Sequence, residues 1–111
     1  MSPLALAKAL QFKIINPGRG AHREVKGIYC CDLLSIVMGR AKADDAWITV
    51  MGNVNSVAVA VLADVSCIVL SEEMRFDDAA LEKAKEQEVC VLASGIPTYE
   101  TSLKISRALA L

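Results

Sequence analysis

The side chains that offer chemistry are few and lie far apart along this chain of 111 residues. Its thiols are Cys30, Cys31, Cys67 and Cys90, and its one imidazole is His22. The two adjacent cysteines cannot easily share a metal ion or bridge each other, and there is no Cys-x-x-Cys pair. The other two sit inside apolar runs, which is typical of free thiols that pack as small hydrophobic side chains. We therefore expect no metal site, and no oxidising compartment is indicated.

Acid–base catalysis is not expected either. His22 lies in a short basic segment with Arg19 and Arg23, and the sequence supplies no partner that would orient it as a general base. This segment is expected to be a mobile hairpin loop, with an anion or an acidic partner as the less favoured alternative. The acid pair Asp44-Asp45 fits a turn, where carboxylates act as caps. No catalytic residue is predicted, and we expect no enzyme activity.

The composition argues against two classes of partner. The chain has 12 basic and 13 acidic residues, a net charge of −1 and only five aromatic residues, and its basic residues form no stripe or tail. Nucleic-acid binding is therefore not expected. The most apolar stretch, residues 54–63, is about half the length needed to cross a bilayer. Residues 1–7 do not read as a signal peptide, and the protein is expected to be cytoplasmic.

The elements that must position any site alternate between short strands and helices. Strands are predicted at 12–15, 25–30, 47–51, 67–70 and 89–93. Helices are predicted near 3–10, 33–38, 77–88 and from 97 or 98 onward. Such alternation indicates crossover connections and helices on both faces of the sheet. We expect one domain, 1–111, with a three-layer α/β/α fold and a mostly parallel or mixed sheet.

The segment 56–63 is ambiguous. Its alternation of large and small residues is compatible with a strand, and its apolar character is compatible with a buried helix capped by Asn53 or Asn55. We favour the helix, because the run with its flanks is long for a strand and Ala63-Asp64 follows like a helix end.

The order and spacing of these segments resemble a DRTGG domain, over roughly Leu4 to Leu109. The segments that carry the resemblance are Asp32-Leu-Leu-Ser-Ile-Val-Met, Asp45-Ala-Trp-Ile-Thr-Val, Val57-Ala-Val-Ala-Val-Leu, Cys67-Ile-Val-Leu, Val89-Cys-Val-Leu-Ala and Tyr99-Glu-Thr. Such domains are similar to the N-terminal domain of HPr kinase and also occur inside phosphotransacetylases, between CBS domains and free-standing. The resemblance implies a three-layer α/β/α fold and a regulatory role, and it does not imply kinase activity.

The chain departs from the motif that names the family. Gly52-Asn53-Val54-Asn55 stands where Asp-Arg-Thr would follow a glycine, and Leu70-Ser71-Glu72-Glu73 stands where Thr-Gly-Gly would follow the next strand. If the family's residues bind a ligand, this chain is expected to bind a different one or none. Two acids in place of two glycines argue against a phosphate in that loop.

Ligands of open parallel sheets bind beyond the carboxyl ends of the strands. The candidate ligand-binding residues at those ends are Asp32, Gly52, Asn53, Asn55, Ser71, Ser94 and Thr98. The loop 52–55 is the best candidate, since it opens an apolar helix whose N-terminus favours an anion; a helix cap plus a tight turn is its alternative explanation. Asp32, Ser94 and Thr98 are each expected to act mainly as helix caps. Glu72 and Glu73 are expected to form a solvated loop rather than a cation site.

Three functions remain open at this point. The favoured one is a non-catalytic regulatory or ligand-sensing module for a small metabolite, either a nucleotide or a phosphorylated or acyl compound, with no cofactor. The alternative is a protein-interaction or homodimerisation module without a ligand, suggested by the 54% hydrophobic share. The least favoured is thiol-redox chemistry at Cys30 or Cys31, just before a helix N-terminus.

Overall fold

Four of the five strands run parallel and lie side by side in chain order. The computed structural model of the chain describes residues 1–111. Its strands are β1 (Lys13–Asn16), β2 (Gly27–Cys30), β3 (Asp45–Thr49), β4 (Cys67–Leu70) and β5 (Val91–Ala93). The sheet order is β1-β5-β4-β3-β2, with β2 to β5 parallel and β1 antiparallel to β5 at one edge. The predicted mixed sheet is confirmed.

Helices cover both faces of this sheet. They are α1 (Pro3–Leu10), α2 (Leu34–Arg40), α3 (Val54–Ala63), α4 (Asp78–Gln87) and α5 (Thr98–Leu109), with a 3₁₀ helix at Arg19–His22. Because side chains alternate along a strand, Trp47 and Ile68 pack in the cluster formed with α2, α3 and α4. Their neighbours Ile48 and Val69 pack in the cluster formed with α1 and α5. The three-layer α/β/α fold predicted from the sequence is therefore confirmed.

The ambiguous segment 56–63 is helical, as its length favoured. Asn53 caps α3: its side-chain oxygen accepts a hydrogen bond from the Ser56 N–H at 3.1 Å. The helix ends at Asp64, which has a left-handed backbone with φ of 58°. A short polar cap and a left-handed stop are the usual ends of a helix, and together they fix this segment as a helix despite its β-branched residues.

Strand limits differ from the prediction where another group satisfies the backbone. β3 ends at Thr49 instead of residue 51, because the Val50 N–H donates to the Asp32 carboxylate at 2.9 Å and not to a neighbouring strand. β5 begins two residues later than predicted, because the Val89 N–H donates to the Ala84 carbonyl and completes the end of α4. Side-chain and helix-end partners of this kind are hard to see in a local pattern.

The basic segment 19–23 is not a hairpin loop, so that prediction was wrong. β1 and β2 lie at opposite edges of the sheet, and the chain between them passes from one edge to the other. Arg23 is held there by two carboxylates: its guanidinium donates to Asp44 at 2.6 Å and to Asp64 at 2.9 Å. It also donates to the backbone carbonyls of Asp64 and Val65. The segment is thus fastened to the turns that precede β3 and follow α3.

The two carboxylates of the acid pair Asp44-Asp45 have different partners. The Asp45 carboxylate accepts the Lys42 N–H at 2.8 Å and so caps the turn, as predicted. Asp44 instead pairs with Arg23, and its φ is 68°. The hydrogen bond from Arg23 and the nearby positive charges of Arg23 and Lys26 hold the pKa of the Asp44 carboxyl below its ordinary value.

None of the helices combines the length and apolar character that a membrane crossing requires.

We expect Asp44→Asn to lower the unfolding midpoint at pH 7 and to leave it unchanged near pH 2. The pKa of Asp44 is lowered in the folded protein from 3.8, so the stabilisation is complete above that value and is lost as the pH falls through the folded pKa. Asparagine tolerates a positive φ, so the substitution removes the charge without straining the turn. Midpoints of both proteins measured by circular dichroism from pH 7 to pH 2 check this. A midpoint difference that does not change with pH would contradict it.

Candidate functional site

All seven predicted ligand-binding residues lie at or just beyond the carboxyl ends of β2 to β5. Asp32 follows β2, and its carboxylate accepts the Thr49 hydroxyl at 2.8 Å and the Val50 N–H at 2.9 Å. It does not cap α2, whose N-cap position is held by Leu33 without a side-chain bond. The prediction of Asp32 as a helix cap was wrong, because the end of β3 has a buried hydroxyl and a backbone N–H that need an acceptor.

The loop 52–55 forms a tight turn and a helix cap. An added Cβ on Gly52 would lie 2.6 Å from the Arg75 carbonyl oxygen and 3.0 Å from the Phe76 Cα. The Gly52 carbonyl accepts the Asp77 N–H at 2.8 Å. Glycine is therefore required here by the close approach of segment 75–77, while Asn53 caps α3 and Asn55 is exposed in its first turn.

Ser71, Ser94 and Thr98 are brought together at the start of α5. The Ser71 and Thr98 hydroxyls are 2.7 Å apart, and the Ser94 hydroxyl is 2.7 Å from that of Thr101. Neither Ser94 nor Thr98 caps α5, so that prediction was wrong. Pro97 occupies the N-cap position and has no side-chain hydrogen bond, and the Glu72 carboxylate accepts the Thr98 N–H at 2.5 Å in its place.

The chain leaves β4 through a turn with an unusual backbone. The Met74 N–H donates to the Ser71 carbonyl at 3.2 Å, and the two central residues, Glu72 and Glu73, have φ values of 60° and 57°. Positive φ at both central positions is the pattern of a type I′ turn, which glycine, asparagine and aspartate favour. Two glutamates held in this conformation are strained by their Cβ atoms. Glu72 and Glu73 are exposed, as a solvated loop predicts, but Glu72 also holds the start of α5.

A cleft of about 540 Å³ lies between β1 and segment 73–76. Its apolar lining includes Ile15, Leu70, Met74, Phe76 and Leu81, and Lys13, Glu73 and Arg75 supply charged groups. Because the parallel strands follow chain order without a reversal, no ligand crevice of the doubly wound kind forms among them. The cleft forms instead at the edge where antiparallel β1 joins β5, beside the carboxyl ends of β4 and β5.

None of the seven predicted residues lines this cleft, but two of them support its wall. Gly52 packs behind Arg75 and Phe76, and Ser71 begins the turn that leads to Glu73. Lys13 was missed because its position depends on the pairing of β1 with β5, which no local pattern reveals. The connection from 71 to 77 does carry a signal, since seven residues between a strand and a helix is longer than usual.

Three of the four cysteine thiols are held in environments that raise their pKa. Partial burial raises the pKa of the Cys30 thiol, with the hydrogen bond to Ser102 acting against it and the charge of Asp32 adding to it. Burial also raises the pKa of Cys90 to about 12 and that of Cys67 well above its ordinary value. A raised pKa disfavours the reactive thiolate. No three His, Cys, Asp or Glu side chains lie close enough to hold a metal ion together.

Comparison with known protein families identifies the domain. The family model described as the DRTGG domain matches residues 5–108, which is nearly the whole chain. No curated protein matches the chain. Within the matched range, Glu72 and Glu73 hold positive φ values that glycine would adopt without strain.

We expect Glu73→Gly to stabilise the protein by about 1 kcal/mol, because glycine removes the left-handed strain. Glu72→Gly relieves the same strain but loses the carboxylate that accepts the Thr98 N–H, so its gain is smaller or reversed. Urea unfolding of the two variants beside the wild-type protein measures the difference. Equal stabilisation by both substitutions would show that the contact with Thr98 contributes nothing.

Proposed function

This chain belongs to the DRTGG domain family, and from that premise we propose that it is a non-catalytic regulatory module that senses a small anionic metabolite with an apolar body. The family is one of regulatory rather than catalytic domains. The ligand occupies the cleft between β1 and segment 73–76, at the carboxyl ends of β4 and β5. The observation that carries this proposal is the shape and lining of the cleft.

The lining supports an acyl compound more than a nucleotide. Phe76 is the one aromatic residue of the lining, and at 7% exposure it offers little surface on which a base could stack. Lys13 and Arg75 are exposed cations beside the cleft that suit a carboxylate or an acyl phosphate, and Arg75 also pairs with Asp78 at 3.0 Å. The negative charges of Glu72 and Glu73 at the nearby turn would repel the consecutive phosphates of a nucleotide. An acyl chain against the apolar lining with its anionic end toward the cations satisfies both features.

The same segment offers a route from the ligand to the rest of the domain. Residues 73–76 line the cleft, while the preceding Glu72 contacts the start of α5 through the Thr98 N–H and the Ile96 carbonyl. On the other side, the Asp77 N–H is bonded to Gly52 at the start of α3. A ligand that moves or orders this segment changes contacts of two helices, and such a differential contact is what a sensing module requires.

A thermal-shift panel tests the proposal, with octanoate, acetyl phosphate, acetyl-CoA, AMP and ATP as probes. A probe at about 100 times its dissociation constant adds roughly 2.7 kcal/mol of stability, so the unfolding midpoint rises by several degrees. We expect the acyl probes to give this shift. We expect Lys13→Ala and Arg75→Ala to reduce it at least threefold at subsaturating probe.

Lys8→Ala is the matched control, since Lys8 is an exposed lysine of α1 outside the cleft. It should leave the shift unchanged. If no probe shifts the midpoint, or if Lys13→Ala and Arg75→Ala behave like Lys8→Ala, this cleft is not the binding site. A shift by AMP and ATP alone would contradict the acyl assignment.

A further inference from the structure

Helix α3 exposes an apolar stripe where a surface helix normally carries charge. It is the middle helix of its layer, with α2 and α4 as neighbours. Val57 and Ala60 face the core, whereas Val54, Val61 and Leu62 remain 42%, 44% and 69% exposed. A helix that is apolar on all sides is normally buried on all sides. One side of α3 therefore lacks a cover within this chain.

The neighbouring helix α4, in the same layer, carries charged residues on its solvent-exposed face. The exposed positions of α4 include Glu82, Lys83, Lys85 and Glu86. By contrast, the chain has no charged residue between Asp45 and Asp64. A charged or strongly polar partner would find no complementary group on α3. A membrane surface is also a poor match, because helices that lie on membranes carry lysine and arginine beside their apolar face.

We propose that the α3 stripe binds the same stripe of a second copy of this chain, with a two-fold axis near Ala58. Ala58 is exposed and lies midway between Val54 and Leu62, four residues from each. Residues four apart share a helix face. When two copies of α3 cross antiparallel at this alanine, Val54 of each copy meets Leu62 of the other. A two-fold interface requires such a self-complementary patch, and the small side chain at the centre lets the two backbones approach.

The neighbouring helix α2 extends the apolar surface. Its exposed apolar side chains are Leu33, Ile36 and Met38, and because Ile36 and Met38 flank the buried Val37 on opposite sides of the helix, part of this surface adjoins the α3 stripe. The stripe and this part of α2 form an apolar centre, and polar neighbours form the rim of an interface that buries roughly 800 Å² per partner. None of these residues lines the ligand cleft, so the inference stands apart from the proposed function.

Sedimentation velocity tests the interface. We expect the wild-type protein to show twice its chain mass of 11.9 kDa at micromolar concentration. Ala58→Glu places two carboxylates against each other at the axis, and we expect it to weaken the dimer at least a hundredfold. Ala79→Glu is the matched control, because Ala79 is exposed on α4 and its substitution should leave the dimer intact. Circular dichroism confirms that both variants are folded.

Cross-linking gives an independent result. In a Cys30→Ser, Cys31→Ser background, Ala58→Cys should form a disulfide dimer rapidly with copper–phenanthroline as oxidant, whereas Ala79→Cys should not. A wild-type protein that remains monomeric at 100 micromolar would overturn the inference. A dimer that survives Ala58→Glu, or equal cross-linking through both introduced cysteines, would place the interface elsewhere and overturn it equally.

Discussion

The structure depends on the burial of β4 between two helical layers. All four residues, Cys67–Leu70, are at most 1% exposed, and the strand pairs with β3 on one side and β5 on the other. Ile68 joins one hydrophobic cluster and Val69 the other, so this one strand links both cores. Because neighbouring strands and helices enclose β4, the chain continues from it at the end of the sheet. Ser71, the next residue, is buried as well.

The path of the chain after β4 explains the arrangement of the candidate site. The chain turns back through Glu72 and Glu73 with a left-handed backbone, and the next residues form one wall of the cleft. Glu72 fastens this segment to α5, and the Asp77 N–H fastens it to Gly52. The conformational strain of the turn is offset by these two attachments. Hydrogen bonds therefore link the cleft wall to the starts of α3 and α5, and the proposed sensing role depends on these links.

Local pattern predicted the fold well, whereas the residues that line the cleft depend on long-range pairing. Both ends of β4 were predicted correctly, because its four residues form a continuous apolar run that is typical of a buried strand. The helical conformation of α3 was predicted from the length of its segment. The pairing of β1 with β5 was not predicted, since it joins Lys13 to Ala93 across most of the chain. The cleft depends on that pairing, and none of the residues selected from the sequence lines it. Asp32 was assigned to the wrong partner for the same reason, because Thr49 approaches it only through the tertiary fold.

Amide hydrogen exchange on wild-type protein and Glu72→Ala tests the coupling most directly. Alanine removes the carboxylate that accepts the Thr98 N–H without introducing the freedom of glycine. If segment 71–77 and the start of α5 form one unit, exchange should accelerate together at Thr98, in the turn residue Met74 and at Asp77, while Ile68 in β4 keeps its protection. Faster exchange at Thr98 alone, with Met74 and Asp77 unchanged, would contradict the account, because the cleft wall would then be independent of α5.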